Sequence, residues 1–309
     1  MDSFLSLLPQ TLLNGLTLGS VYALIALGYS MVYGILRLLN FAHGDIYMIG
    51  AYLGYGVFVM AFADGESLLP AAAVIVLMLV VAMVGAGVVS VAVERFAYRP
   101  LRYAPRIAPL ISALGVSFIL QNLVQITVSP RPLSYGSGTL IPSDAIFMLG
   151  DLRVHGSRIL VIGTAVVLML ALTYFVQRTR LGRAMRAVST DLDAAQMMGV
   201  DVNRVVMATF FIGAVLAGAA GVLVGVVFFS IRHTMGFVAG LKGFTAAVLG
   251  GIGSIPGAVL GGLIIGMAEA FTSVYISATY KDAVAFIILV LILIIRPSGL
   301  MGKPLVQKV

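Results

Sequence analysis

Long apolar runs, separated by short polar or proline-rich breaks, make up most of the chain. A helix needs about 20 predominantly apolar residues to cross the roughly 30 Å hydrocarbon layer of a bilayer. By that rule, eight runs predict full membrane spans, and a shorter, glycine-broken run at 237–250 predicts a segment that either crosses or re-enters. The eight runs are 9–36, 41–63, 68–93, 107–128, 159–176, 205–229, 255–274 and 283–295. We therefore expect an all-α, polytopic transmembrane helical bundle that forms a single domain over residues 1–309.

The composition supports this expectation and excludes several classes of protein. Of the 309 residues, 61% are hydrophobic, 10% are charged and none is cysteine. Soluble domains have about 45–50% apolar and about 25% charged residues. A sizeable soluble domain, a disordered chain and a nucleic-acid-binding tail are therefore excluded. The lack of cysteine also excludes a disulfide framework, a thiolate metal site and a cysteine nucleophile.

Basic residues account for the net charge of +7 and predict the orientation in the membrane. They gather in the connections at 94–106 and 177–204 and after the last span. The residues are Arg95, Arg99, Arg102, Arg106, Arg178, Arg180, Arg183, Arg186, Arg204, Arg296, Lys303 and Lys308. Because positively charged loops remain cytoplasmic, these connections and the C-terminus should face the cytoplasm. The connection at 129–158 and the N-terminus should then lie outside.

The connection at 177–204 is the most polar stretch on the expected cytoplasmic side, yet it is too short to form a domain. Its pattern predicts two short amphipathic helices. The Ser-Thr-Asp sequence at 189–191 supplies cap residues for a helix over 192–198, and Gly199 is placed to end that helix.

Polar residues inside apolar spans are costly and often mark function. Asn40, His43 and Asp45 open the second span, while Gln121 and Gln125 share a face of the fourth. One interpretation of the first group is an ordinary helix start, with Asn40 as the cap and Asp45 near the positive end of the helix dipole. The other is a helix break that lines a substrate pathway. The two glutamines fit either interhelical hydrogen bonding or a position behind that pathway.

Glycines cluster in the second span and in the segment after the sixth. Gly250, Gly251 and Gly253 belong to the later cluster. Interrupted hydrophobic segments in two halves of a chain indicate a transport site built from broken helices. Close helix packing is the alternative interpretation, and both can hold together.

Sequence motifs for a chemical active site are missing. The chain has no phosphate-binding loop of the G-x4-GK[ST] type, no H-E-x-x-H and no G-x-S-x-G. We therefore expect no ATP site, metal, cofactor or enzymatic activity in this chain, and any active transport must be driven by an ion gradient or by another subunit.

Three segments carry a resemblance to a known family. They are residues 40–45 (NFAHGD), 94–102 (ERFAYRPLR) and 242–258 (KGFTAAVLGGIGSIPGA). In these segments the chain resembles the inner-membrane permeases of branched-chain amino acid ABC importers. The resemblance implies a second homologous permease, two cytoplasmic ATPases that bind ATP and Mg²⁺, and a periplasmic substrate-binding protein as partners in a bacterial inner membrane.

The resemblance also implies a role for residues 177–204. Permeases of ABC importers carry a coupling helix with the pattern acidic-Ala-Ala-x3-Gly, which docks into a groove on the ATPase, and 193–199 (DAAQMMG) resembles it. The candidate coupling residues are Arg183, Asp191, Asp193, Ala194, Ala195, Met198 and Gly199. The candidates for the translocation pathway are Asn40, His43, Asp45, Gln121, Gln125, Gly250, Gly251 and Gly253.

Two other functions stay open at this stage. Related permeases carry urea, short amides or other amino acids, and the sequence does not separate these cargoes. A gradient-driven secondary transporter is the second alternative, and only Asp45 and Glu269 could then serve as intramembrane carboxylates. The favoured expectation is a permease subunit that moves leucine, isoleucine and valine into the cytoplasm.

Overall fold

The computed structural model describes residues 2–63, 67, 69–102, 104–105, 107–136, 139–142, 145–149 and 152–302. Eleven α-helices are present within these ranges. They are α1 (Asp2–Leu36), α2 (His43–Ala61), α3 (Ala71–Val93), α4 (Ile107–Thr127), α5 (Gly156–Arg178), α6 (Arg180–Thr190), α7 (Leu192–Met197), α8 (Val202–Phe228), α9 (Met235–Gly250), α10 (Ile255–Tyr275) and α11 (Lys281–Ile295). Arg106, Lys303 and Lys308, which contribute to the predicted orientation, lie outside the described residues.

The expected helical bundle is confirmed. Eight helical segments of the described chain are long and apolar enough to cross a membrane, and α9 is a shorter apolar helix. Most observed boundaries differ from the predicted ones by a few residues, and the largest difference is in the third span, whose helix continues beyond α3. It forms a π-helix over Glu94–Tyr98 and a 3-10 turn over Arg99–Leu101. The predicted loop at 94–106 therefore begins as helix.

Two small antiparallel sheets lie outside the spans and were not predicted. Strand β1 (Leu133–Ser134) pairs with β4 (Ser230–Ile231), and β2 (Ile146–Leu149) pairs with β3 (Leu152–His155). The first pairing ties the connection after α4 to the end of α8. Tyr135, which follows β1, inserts its buried ring beside Gly225, and its hydroxyl donates a hydrogen bond to the carbonyl of Ala51. Burial raises the pKa of this phenol above its usual range.

The helices α1 and α8 are the innermost of the spans. In their most apolar windows, 78% of the residues of α1 and 72% of those of α8 are buried, against 17% for α5 and 6% for the last span. Glycines let α1 and α10 approach closely, since a Cβ at Gly19 would lie 2.8 Å from Leu263 Cα. The outer faces of α5 and α11 are thus left for lipid or for a partner protein.

The contacts define two ends of the bundle. One, which we call the basic end, contains residues 36–39, 94–102, 104–105, 178–204, 250–254 and 299–302. Here Arg102 Nη1 donates to Asn203 Oδ1 at 2.8 Å, and the Leu300 amide donates to the Leu249 carbonyl at 2.8 Å. The other, the opposite end, contains both small sheets and the start of α1, which contacts β3. The beginning of α1 and residues 299–302 therefore lie at different ends, as the predicted topology requires.

Candidate translocation and coupling sites

The helix α2 begins inside the bundle rather than at its basic end. After α1 ends, Arg37 adopts a left-handed conformation with φ 53°, and the chain turns back into the bundle. The His43 ring then lies against Gly28 and makes an edge contact with Tyr29, with ring centroids 4.8 Å apart. Gly28 lies eight residues before the end of α1, which places it about 12 Å along the helix axis from that end. The first turn of α2 is therefore well inside the bundle.

The first turn of α9 meets α2 at the same depth. A Cβ at Gly44 would lie 2.7 Å from Gly240 Cα, and one at Gly236 would lie 2.7 Å from Asp45 Oδ1. Only glycine allows the two backbones to come this close. From this meeting point α2 runs to the opposite end, while α9 runs to the basic end, where Gly250 packs on Gly257. Both helices are thus interrupted helices whose N-termini lie inside the bundle, an arrangement found in many transport sites.

Buried polar side chains surround this meeting point. Asp45 and His43 are 0% and 1% exposed, and Gln121 Nε2 donates to Asp45 Oδ1 at 3.0 Å. The Tyr98 hydroxyl donates to Asn40 Oδ1 at 2.8 Å. Within the described chain Asn40 Nδ2, His43 Nε2 and Asp45 Oδ2 are buried without a hydrogen-bond partner. Unpaired polar atoms are rare in folded proteins and often mark functional positions.

The ordinary helix-start interpretation is only half correct. Asp45 does lie in the first turn of α2, where its charge interacts favourably with the helix dipole. Asn40, however, is not the cap. Ala42 occupies the N-cap position, and the Asn40 side chain bonds to Tyr98 instead. The alternative, a break in the helix, agrees with the structure, although His43 and Asp45 are packed among side chains rather than facing an open channel.

The remaining pathway candidates lie away from the buried polar group. Gln125 is exposed on α4, one turn beyond Gln121. The three glycines of the later cluster lie at the basic end. Gly251 has φ 101° and contacts Gly302, while the amide of Gly253 donates to Ser30 Oγ at 2.8 Å. These glycines lie at or just after the end of α9, where the chain packs against α1 and Gly302. Their place in a translocation pathway stays a prediction.

A second buried group contains charges and joins four helices. Lys242 Nζ of α9 lies 2.8 Å from Glu269 Oε2 of α10 and 2.5 Å from Asp282 Oδ1 of α11. The Tyr22 hydroxyl of α1 donates to the same Glu269 oxygen at 2.7 Å. Lys242 and Glu269 are 3% and 5% exposed. Removing either partner of such a buried ion pair strongly destabilises the fold, because the remaining charge is left uncompensated.

The segment between α5 and α8 forms the two predicted short helices, α6 and α7. Thr179 Oγ1 caps α6 by accepting from the Gly182 amide at 3.0 Å, and Asp191 Oδ1 caps α7 by accepting from the Ala194 amide at 3.0 Å. Gly199 has φ 83° and follows α7, in agreement with the predicted helix end.

The helix α7 exposes one side of the predicted coupling sequence and buries the other. Met197 and Met198 are 89% and 84% exposed, and Asp193 and Ala194 are exposed beside them. Ala195 is 5% exposed and points inward. Arg183, on α6, is exposed. Two adjacent exposed methionines form an adaptable apolar surface that suits contact with another protein.

Hydrogen bonds connect this segment to the interrupted helix. Arg102 bonds to Asn203, at the start of α8, and Arg102 Nη2 lies 2.8 Å from Glu94 Oε1. Glu94 begins the π-helix that ends at Tyr98, and Tyr98 holds Asn40. A cavity of about 710 Å³ lies beside this connection. These contacts link the coupling segment to Asn40, in the turn that precedes α2.

Comparison with known proteins shows the family. A family model described as "Branched-chain amino acid transport system / permease component" matches residues 11–293. The chain belongs to this permease family. It is 45% identical to the high-affinity branched-chain amino acid transport system permease protein BraD of Pseudomonas aeruginosa, over 97% of each chain. It is 45% identical to the protein LivH of the same description from Escherichia coli, over 100% of this chain and 99% of that one. A probable branched-chain amino acid transport permease protein of Methanocaldococcus jannaschii is 26% identical over 92% of this chain.

The family match over residues 11–293 includes both the polar group at the start of α2 and the coupling segment of this permease. It also includes Lys242, a buried residue that was not predicted from the sequence. Lys242 lies within the segment that carries the resemblance but was not singled out as a candidate. A lysine inside a run of glycine and apolar residues is as costly as an intramembrane carboxylate, and it needs a partner. The sequence did offer one signal for Lys242, because the next span contains Glu269, an intramembrane carboxylate that could pair with it.

Proposed function

We propose that this chain is the permease subunit of an ATP-binding-cassette importer that moves leucine, isoleucine and valine from a periplasmic binding protein into the cytoplasm. The observation that carries the proposal is the 45% identity, over essentially the whole chain, to two permeases of high-affinity branched-chain amino acid transport. The exposed Met197 and Met198 on a capped helix supply a docking surface that an isolated carrier would not need.

The proposed complex contains a second homologous permease, two cytoplasmic ATPases and the binding protein. ATP and Mg²⁺ bind to the ATPases, and this chain does not catalyse hydrolysis. The largely unburied faces of α4 and α5 are available for the second permease. Asp193, Ala194, Met197 and Met198 contact the ATPase, while Asp191, Ala195 and Gly199 shape α7, and Arg183 lies beside it.

In the membrane the basic end faces the cytoplasm, and the opposite end faces the periplasm of a bacterial inner membrane. The arginines of the 94–102 and 178–204 segments support this orientation. Closure of the ATPases moves α6 and α7, and the bonds from Asn203 through Glu94 to Asn40 transmit that movement to α2. His43, Asp45 and Gln121 then become accessible to substrate as the N-termini of α2 and α9 separate.

Uptake in cells tests this function. The chain, its partner permease, the ATPases and the binding protein would be expressed in a strain that lacks its own uptake of branched-chain amino acids. We expect saturable uptake of labelled leucine, isoleucine and valine that stops when ATP is depleted and when this chain is omitted. Uptake of urea or a short amide instead would reassign the cargo. Uptake by this chain alone, driven by an ion gradient, would contradict the importer assignment.

A further inference from the structure

A cavity with charges of both signs lies near the opposite end of the bundle. Its volume is about 270 Å³, and it lies where α1, α5, α8, α10 and α11 approach one another. The polar residues in its wall are Asn14, Thr17, Arg158, Glu269, Ser273 and Lys281. Pockets for drug-sized ligands measure roughly 300–1,000 Å³, so this cavity fits a smaller molecule.

The two basic residues of the cavity have no carboxylate partner within the described chain. Ion pairs there join Arg102, Arg204 and Lys242 to carboxylates, but not Arg158 or Lys281. Both side chains are half-buried. A half-buried cation without a counter-ion is costly, and an anionic group of a ligand would offset that cost.

Glu269 is the carboxylate that lines the cavity. Glu269 and Asp282 share the single positive charge of Lys242. The Lys242 ion pair and the Tyr22 hydrogen bond both engage Oε2 of Glu269. The Oε1 atom of Glu269 takes part in neither contact, so this carboxylate can accept a hydrogen bond from a cationic group of a ligand in the same cavity.

Apolar side chains complete the wall. Leu18, Val227, Phe228 and Val274 line the cavity beside the charged residues. A ligand that fits must therefore combine an anionic group, a cationic group and a short apolar part. A simple anion would face the Glu269 carboxylate without offering it a cationic group, and a hydrocarbon would leave the charges unpaired.

We propose that this cavity is a binding site for a zwitterionic α-amino acid with an aliphatic side chain. Arg158 and Lys281 bind the carboxylate, Glu269 binds the ammonium group, and Leu18, Val227 and Phe228 contact the side chain. The inference rests on the proposed function and deepens it, since the site lies at the end that would receive substrate from the binding protein.

Cysteine protection tests the site directly, because the natural chain has no cysteine. Ser273→Cys places a thiol in the cavity wall, and Thr279→Cys places one on the exposed surface at the same end. Both variants would be assembled into the complete complex in proteoliposomes and treated with a membrane-impermeant thiol reagent, with and without leucine. At a leucine concentration ten times the dissociation constant, we expect labelling of Ser273→Cys to slow about tenfold, because mass action leaves about one cavity in eleven empty. Labelling of Thr279→Cys should not change.

Leucine analogues that lack one charged group form the second part of the test. Isocaproate, which lacks the ammonium group, and isoamylamine, which lacks the carboxylate, should protect much less than leucine. Arg158→Gln in the Ser273→Cys background should raise the leucine concentration for half-protection about tenfold or more, since a hydrogen bond to a charged group is lost. Arg158→Lys should retain part of the protection.

The outcomes separate this inference from the proposed function. If the complex takes up leucine and leucine does not slow labelling of Ser273→Cys, the site assignment is wrong while the importer function stands. Protection by phosphoethanolamine but not by leucine would assign the cavity to lipid headgroups and overturn the inference. Equal protection by isocaproate and leucine would also overturn it. If the complete complex takes up no leucine at all, the proposed function fails first.

Discussion

The buried ion pair between Glu94 and Arg102 gives the sharpest prediction for stability and for coupling. The Glu94 side chain is 2% exposed and that of Arg102 13%, and their charged atoms lie 2.8 Å apart. In Arg102→Met the Glu94 carboxylate stays buried without its cation. We expect this single change to cost about 3–5 kcal/mol of unfolding free energy, the usual cost of breaking a buried pair by removing one partner.

The double change Glu94→Met with Arg102→Met should recover most of that loss. Replacing a buried ion pair by apolar side chains of similar size is often neutral, or stabilising by about 1–4 kcal/mol, because the desolvation cost of both charges disappears. The exposed pair between Arg204 and Asp201 supplies the matched control. Arg204→Met should cost about 0–1 kcal/mol, as surface ion pairs do.

Unfolding of the purified chain in detergent, followed by far-ultraviolet circular dichroism, measures these differences as a double-mutant cycle. The transport assay separates stability from coupling. The double variant is expected to be nearly as stable as wild type, yet to move less leucine per ATP hydrolysed, because the bonds from Asn203 to the π-helix are missing.

Two results would show that the expected role of this ion pair is wrong. A cost below about 1 kcal/mol for Arg102→Met would show that Glu94 is not held in a dry environment. Wild-type coupling in the double variant would show that this contact does not transmit movement from the segment before α8.

Three further predictions concern packing, docking and topology. Gly44→Ala should destabilise the bundle by about 1–3 kcal/mol because its Cβ meets the backbone of α9, whereas Gly56→Ala, in the same helix with nothing within 4 Å, should be nearly neutral; thermal unfolding compares the two, and equal stability would contradict the packing. Met198→Arg should reduce ATPase association in a pull-down without loss of membrane insertion, and undiminished association would exclude α7 as the docking helix. Single cysteines at Arg183 and Ser134 should be labelled from different sides of the membrane, so labelling from one side would disprove the topology.

The spans and the coupling segment were predictable because each depends on local pattern. Apolar runs of about 20 residues define the spans. Asp191 and Gly199 have residue types that begin and end helices, and the structure uses them in those roles. Which face of α7 is exposed was not predictable, because burial of Ala195 depends on its packing in the folded bundle.

The arrangement of the buried polar side chains was not predictable, because it depends on contacts between residues that are distant in sequence. The start of α2 lies about 12 Å inside the bundle because it packs against glycines on α1 and α9, and no local signal near residue 40 gives that depth. Asparagine is a common N-cap residue, so the cap interpretation was reasonable, but the Asn40 side chain instead accepts a hydrogen bond from the Tyr98 hydroxyl. Lys242 was missed because its partners lie 27 and 40 positions away along the chain.

The importer complex is tested most simply by affinity purification of the tagged chain from its native membrane in mild detergent, with identification of the associated proteins by mass spectrometry. We expect recovery of a second hydrophobic permease together with ATPases that carry a phosphate-binding loop. Met198→Arg should retain the permease and lose the ATPases. Recovery of the chain alone, or only with copies of itself, would exclude the importer complex and would favour a gradient-driven carrier that uses Asp45 and Glu269 as its intramembrane carboxylates.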